Sequence, residues 1–240
     1  MSKLMAHSAD GRKVTLDDLR AIPTPEETAT WTPVGHAQFA MHMKRWCSDS
    51  IANNYSLESE QYAVARKGQQ MFGLLTFKNG NEEMGLSIGF RNSIDKSLAG
   101  AFASGGQVFV CDNLALNGDI VVMRKHTMFI LHDLQDLVLD SMARASNVFG
   151  EMVFHAEQLK QIPYTTDEGY ERIGLLYGNG VLTPRQLPVI LKEWVEPQHK
   201  CFEPRNAWSL YNAATEALKS CPPQTVLEKH RLLTDVFRND

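Results

Sequence analysis

Two short segments hold the residue types that could carry covalent chemistry: Cys111-Asp112-Asn113 and, a little further on, His126. A thiol next to an imidazole is a nucleophile, because the neighbouring base lowers the thiol pKa. Cys111 also ends the run Val108-Phe-Val-Cys, where a small buried apolar side chain would serve equally well. Asp95 and Asp112 could instead flank a metal ion, so one reading of the chain is a metal- or cysteine-dependent hydrolase or nuclease. Against it, His36, His42, His126, His132 and His155 form no H-x-x-x-H or H-E-x-x-H spacing. The four cysteines (Cys47, Cys111, Cys201, Cys221) form no C-x-x-C pair either. No metal or cofactor is expected, and a non-enzymatic role is favoured.

A second group of residues suits recognition rather than catalysis. Arg91-Asn92-Ser93-Ile94-Asp95 closes a strand, and Arg91 could contact a phosphate while Asn92, Ser93 and Asp95 shape the loop. The same Asn, Ser and Asp could simply fold back on their own backbone, with Arg91 paired to an acid. His126, beside Arg124 and Lys125, is either a phosphate contact or a hydrogen-bonded residue at a strand-to-helix corner. Tyr62 and Phe72 lie near Arg66, Lys67 and Lys78, a mixture that could stack bases on a basic sheet or belong to the core.

Charge bears on that choice. The net charge of −4 argues against a simple basic nucleic-acid binder. Between Val64 and His126, however, seven Lys/Arg stand against five acids, leaving −6 for the flanks. A modestly basic sheet face is therefore allowed.

The elements that would position these residues follow from pattern. Thr15-Leu-Asp-Asp starts a short helix with a capping box, and Pro23 to Thr32 is a connector. Val34 to Cys47 has Phe39, Met43 and Trp46 at i, i+4 and i+7, a helical stripe. The middle changes to strands: Tyr55 to Arg66, Gln70 to Phe77, Met84 to Phe90, Gln107 to Cys111 and Asp119 to Met123. Turns are expected at Lys78-Asn79-Gly80-Asn81, Ser104-Gly105-Gly106 and Asn117-Gly118. From Met128 to Gln161 the helical period returns, with Leu131, Leu134, Val138, Met142, Phe149 and Val153 in phase. Shorter helices follow: one capped by Thr166 and Asp167, one opened by Thr183-Pro184 with Pro188 in or near its first turns and running to Trp194, then Asn206 to Lys219 and Gln224 to Phe237.

The expected fold class is α+β: an antiparallel β-sheet preceded by a helix, covered by a long helix, with a helical C-terminal part. Residues 1–32 are read as an N-terminal helix and linker, 33–162 as the core domain and 163–240 as the helical part packed on it. The 43% hydrophobic content suffices for a sizeable core. There is no run of eighteen apolar residues and no signal-type apolar stretch at the start, so a cytoplasmic protein that enters no membrane is expected.

Beyond pattern, the succession TWTPVGHAQF, GQQMFGLLTF, FRNSIDKS, VFVCDNLALNGD, KHT and NAWSLYNAATE resembles the phage- and plasmid-borne domain-of-unknown-function family 932 over roughly residues 30–217. The specific parts are Asn92, Ser93 and Asp95, then Cys111 and Asn113 with His126 following, and Asn212, Thr215 and Glu216. Two positions depart: the family's Asn-Gly after the Cys is Asn113-Leu114 here, and the Gly after its Asp is Lys96. The resemblance implies a mobile-element origin and a bacterial host cytoplasm, and it brings no catalytic residue.

The leading expectation is a non-enzymatic DNA-metabolism protein that binds or anneals single-stranded DNA during recombination or replication, as a homo-oligomer. Phosphates would be met by Arg66, Lys67, Lys78, Arg91, Arg124, Lys125 and His126, and bases by Tyr62 or Phe72. The alternative is a protein-binding counter-defence factor that occupies a host enzyme.

Overall fold

The computed structural model describes residues 11–108, 113–221 and 225–238, without the side chains of 107–108, 113–121 and 226–227. Six strands form one antiparallel sheet in the order β1-β2-β3-β4-β5-β6: β1 (Arg12–Val14), β2 (Ser56–Ala65), β3 (Gln70–Lys78), β4 (Met84–Ser93), β5 (Gly100–Val108) and β6 (Asn113–Arg124). Among the described residues seven α-helices accompany them: α1 (Leu16–Arg20), α2 (His36–Ile51), α3 (Ile130–Lys160), α4 (Thr166–Gly178), α5 (Leu187–Val195), α6 (Ala207–Leu218) and α7 (Val226–Phe237). The α+β class holds.

Contacts divide the chain into two compact units. Among the described residues, the first joins those up to Gly105 with Asp119–Val148, and the second joins those of Gly106–Gly118 with those from Phe149 onward. The N-terminal helix thus belongs with the sheet, and the boundary falls inside α3.

In the first unit the capping box forms as expected: Thr15 Oγ1 accepts from the Asp18 amide at 3.1 Å while Asp18 accepts from the Thr15 amide at 2.8 Å. Donation to its carboxylate from the Thr15 amide, and from the Thr15 hydroxyl at 2.9 Å, holds the Asp18 carboxyl below the usual carboxylate range. Strand register decides which side chains meet α2. Val64, Met71 and Asn92 lie across from one another, as do Tyr62, Gly73 and Phe90, then Leu75 with Ile88 and Phe77 with Leu86. Side chains on one face of a sheet recur at every second residue, so all of these share a face. Phe39 of α2 packs on Phe90 with ring centroids 6.2 Å apart, and Lys44 reaches Glu60 at 2.7 Å, which places α2 over that face. Phe39, Met43 and Cys47 are fully buried and Trp46 nearly so. Burying each large side chain contributes about 1.5–3 kcal/mol.

The phase slip in β2, where Leu57 and Tyr62 are five apart yet both apolar, coincides with a register irregularity between Leu57 and Ser59. The β3–β4 hairpin is looser than an Asn-Gly turn. Five residues separate the strands, Gly80 has φ +90°, and the Asn81 side-chain carbonyl accepts from the amides of Glu83 and Met84, each at 2.8 Å.

Two expected turns are corrected. Ser104-Gly105-Gly106 runs extended inside β5 and Asn117-Gly118 inside β6. Glycine marks a turn only where the chain needs its conformational freedom, and a strand accepts it too. The strand β1 was not anticipated; its three residues carry no periodic signal.

Ile130, at the start of α3, meets Phe39 over Gly100, where an added Cβ would lie 3.3 Å from the Ile130 side chain. Ser146 of the same helix donates to the Tyr55 hydroxyl at 3.2 Å, at the far end of β2. The sixteen residue steps from Ile130 to Ser146 rise about 24 Å, close to the length of β3, so this half of α3 runs along the sheet from one end of β2 and β3 to the other.

The second unit contains α4 to α7. Its first helix is capped by Thr165 with Glu168 in a reciprocal box, one residue earlier than Thr166 and Asp167. Asn206 caps α6, a helix buried on nearly every side. Gln186 ties this unit together: its carbonyl accepts from the amide and hydroxyl of Thr183, and its amide donates to the Ala217 carbonyl.

Candidate functional site

Antiparallel order brings three connections to the same end of the sheet. They are the 3-10 turn Arg66–Gly68 between β2 and β3, the loop of residues 94–99 between β4 and β5, and the stretch from β6 into α3. The Ile94 amide donates to the Gln69 carbonyl at 2.9 Å, locking the first two together. Arg66, Lys67, Lys96, Arg124 and Lys125 are all exposed on this rim. Lys78, at the other end of β3, lies roughly 25 Å away and leaves the group.

Three of these cations are conformationally strained. Among the described residues, the non-glycine positions with left-handed φ are Arg66 (+49°), Lys67 (+54°) and Lys96 (+64°). A left-handed side-chain-bearing residue costs on the order of 1–3 kcal/mol and persists only when its surroundings hold it.

What holds this rim is a buried polar network centred on Asn92, fully inaccessible on the α2 side of β4. Its amide donates to the Val34 carbonyl at 2.8 Å and faces His36 Nδ1 at 3.0 Å; its carbonyl faces His126 Nε2 at 2.7 Å. His36 Nε2 lies 3.0 Å from the Gly68 carbonyl, which can only accept. Nε2 of His36 therefore carries the hydrogen, and its Nδ1 accepts from Asn92. The remaining Asn92 carbonyl then takes the Nε2 hydrogen of His126. His36 is neutral in this arrangement, its Nε2 donating and its Nδ1 accepting. Burial pushes both pKa values down, opposed for His36 by the Gly68 bond and the charge of Asp95, and reinforced for His126 by His36. One side chain thus fastens residues 34–36, the strained turn, β4 and the strand-to-helix corner.

The neighbouring loop is closed the same way. Ser93 Oγ donates to the Leu98 carbonyl and accepts from its amide, each at 3.0 Å, and Gln70 donates to Ser97 at 2.8 Å. Asp95 accepts from the Ser97 amide at 3.0 Å and from its hydroxyl, and lies 3.9 Å from Arg66. Partial burial would raise the Asp95 pKa, but the bonds from Ser97 and Ser93 prevail and lower it. Asn92, Ser93 and Asp95 are turn- and network-formers. His126 sits buried in that network, so a phosphate contact from its ring is not what the geometry provides.

Other expected site residues fall elsewhere. Tyr62 is buried, edge-on to Phe90 with centroids 6.4 Å apart, and donates to Glu60 at 3.3 Å; burial and the Glu60 charge raise its pKa. It is a core residue and not a stacking platform. Phe72 is half-buried and lies across from Arg91 on the opposite sheet face. Arg91 is also half-buried; among the described residues it pairs with no acid, places Nη2 3.5 Å from the Met123 sulfur, and has a buried Nε without a partner. Cys111 and the Asn113 side chain lie outside the described residues. In the second unit, Asn212 donates to the Trp208 carbonyl at 2.9 Å, Thr215 to the Asn212 carbonyl at 2.8 Å, and Glu216 pairs with Lys219 at 2.5 Å. Asn212 and Glu216 border a crevice with Glu193 and His199 whose free volume of about 10 Å³ admits about one water.

A larger opening lies beside the rim, between residues 27–32 and the start of α3. Thr28 and Trp31 exchange two backbone bonds, at 2.9 and 3.3 Å, making a tight hairpin, and the Thr32 amide donates to the His126 carbonyl at 3.0 Å. The cavity measures about 620 Å³ and is walled by Glu27, Thr30 and Thr32 on one side and by Thr127, Met128 and Phe129 on the other. Met128 and Phe129 are 77% and 65% exposed, unusual for side chains of this size. The Lys96 ammonium sits 4.8 Å above the Trp31 ring, beside this hairpin. Sequence reasoning counted Lys96 among the basic residues without making it a contact, and passed over Glu27 and Phe129. Phe129 left a readable trace: it falls out of phase with the Ile130, Leu134 and Val138 stripe, on the face carrying Asp133 and Asp136.

Comparison with protein-family models, with curated proteins and with solved structures finds no match. Among the described residues no cluster of three or more His, Cys, Asp or Glu is placed to hold a metal ion. No described helix is long and apolar enough to cross a membrane.

Proposed function

We propose that the chain binds single-stranded DNA along the rim of its sheet, as a non-enzymatic DNA-metabolism protein of a phage or plasmid within the family 932 it resembles. The observation that carries this reading is the strain at Arg66, Lys67 and Lys96: every described non-glycine residue with a left-handed backbone is a cation on that rim. Strained residues cluster where a fold sacrifices stability for function. Lys96 stands where the resembled family has glycine, the residue that position's φ suits. Arg124 and Lys125 extend the cationic track past β6.

The test is anisotropy of a labelled single-stranded oligonucleotide across a salt series. Five phosphate contacts give a log–log salt slope of about −3.5, since each contributes about −0.7. Lys96→Gly removes one cation at a site that favours glycine, so the fold stays intact and the slope shrinks by about 0.7. No binding at low ionic strength overturns the proposal.

A second reading has its own observation. Tyr170, Leu175 and Tyr177 of α4 and Val189, Leu191 and Val195 of α5 are each 38–48% exposed in the second unit. Exposed apolar side chains on two neighbouring helices are what a protein partner would cover. That suits a counter-defence factor that occupies a host enzyme. Recovery of one stoichiometric host protein, lost on Leu175→Asp, supports it, and equal recovery by that variant removes it.

A further inference from the structure

Resting on the single-strand reading above, we infer that the cleft between residues 27–32 and 127–129 takes one unstacked nucleobase, and that it prefers a base with an exocyclic amino group. Three observations combine. The first is size and rigidity: about 620 Å³ lies within the range of about 300–1,000 Å³ usual for small-molecule sites. Its walls are fixed by the Thr28–Trp31 hairpin and by the Thr32–His126 bond, which the Asn92 network anchors in turn.

The second is a free aromatic face. Phe129 lines the cleft and is two-thirds exposed, with Met128 beside it; this is the stacking platform that Tyr62, buried in the core, cannot be. Base–aromatic stacking tolerates any base.

The third is charge. Arg124 and Lys125 precede the Thr127–Phe129 wall, and Lys96 stands over Trp31 of the hairpin that carries the opposite one. Asp133 and Asp136, one and two turns further along α3, would repel phosphate. A strand seated here therefore leaves past Lys125 and Arg124 toward Lys96 and Arg66. Within this track Glu27 is an acid on the cleft wall. A carboxylate repels phosphate but accepts from the amino groups of cytosine and adenine, which thymine lacks. Glu27 thus reads the base, and the threonine hydroxyls supply adaptable donors and acceptors.

The experiment compares oligo(dC), oligo(dA) and oligo(dT) of equal length with the full chain and three variants. The expected result is binding of oligo(dC) and oligo(dA) roughly five- to tenfold tighter than oligo(dT), a modest share of what one good base contact discriminates. Glu27→Gln, whose amide both donates and accepts, brings the three affinities together without reducing the salt slope. Phe129→Ala weakens all three by roughly five- to a hundredfold, and Phe129→Trp restores them. Equal wild-type affinities with no effect of Phe129→Ala, at an intact salt slope, overturn the cleft while leaving rim binding in place. Failure of every oligonucleotide to bind at low ionic strength overturns both.

Discussion

Replacing Asn92 by Ala tests whether one side chain holds the rim together. Three hydrogen bonds disappear, and three buried groups lose their partner: the Val34 carbonyl, His36 Nδ1 and the Nε2 hydrogen of His126. An unsatisfied buried polar group costs about 1–3 kcal/mol, and partial relaxation offsets some of that. The expected loss is about 3–5 kcal/mol, a large share of the 5–15 kcal/mol typical of a whole domain. Urea unfolding at neutral pH measures it as a lower midpoint with an unchanged slope. A double-mutant cycle with His126→Ala adds a sharper criterion. Both single variants remove the same 2.7 Å bond, so their effects overlap by about 1 kcal/mol or more. A loss below about 1 kcal/mol, or strict additivity in the cycle, would show that the network does not act as one unit.

Acid should destabilise the protein through its buried histidines. His230 is buried with an unpartnered Nδ1, and burial pushes its pKa down from 6.5 to about 4. The unfolded chain protonates first as pH falls, so this stability is complete above about pH 6.5 and is lost toward pH 4. Two and a half pH units at about 1.4 kcal/mol each amount to roughly 3 kcal/mol. His36 and His126, also lowered, act with the same sign. Thermal melts from pH 7.5 to pH 4 should show a smaller decline for His230→Phe than for wild type, and parallel curves would contradict the reasoning. Gly73→Ala places a Cβ 2.1 Å from the Phe90 ring, an overlap the sheet can relieve only by moving that ring. It should cost about 1–3 kcal/mol in urea unfolding, partly recovered by adding Phe90→Leu.

Much of the fold was readable because its signals are local. The α2 stripe of Phe39, Met43 and Trp46, the Thr15–Asp18 box, and the Leu134, Val138 and Met142 phase each specify an element from a few neighbouring residues. Glycines 105, 106 and 118 misled, because a glycine in sequence does not reveal the sign of its φ. The site was harder to read. Asn92 resembles a turn-former among its sequence neighbours, and its partners His36 and His126 are 56 and 34 residues away. Only strand register turns it toward α2. Tyr62 and Phe72 were indistinguishable as surface or core until register assigned their faces. The cleft exists only because residues 27–32 are brought against the start of α3, about a hundred positions later.

Ultraviolet cross-linking of a bound single-stranded oligonucleotide, followed by peptide mapping, tests the proposed rim most directly. Adducts should fall on the peptides that carry residues 27–32 and 124–129. Adducts confined to the helices α4 to α7, or none from a chain that demonstrably retains the strand, would contradict it.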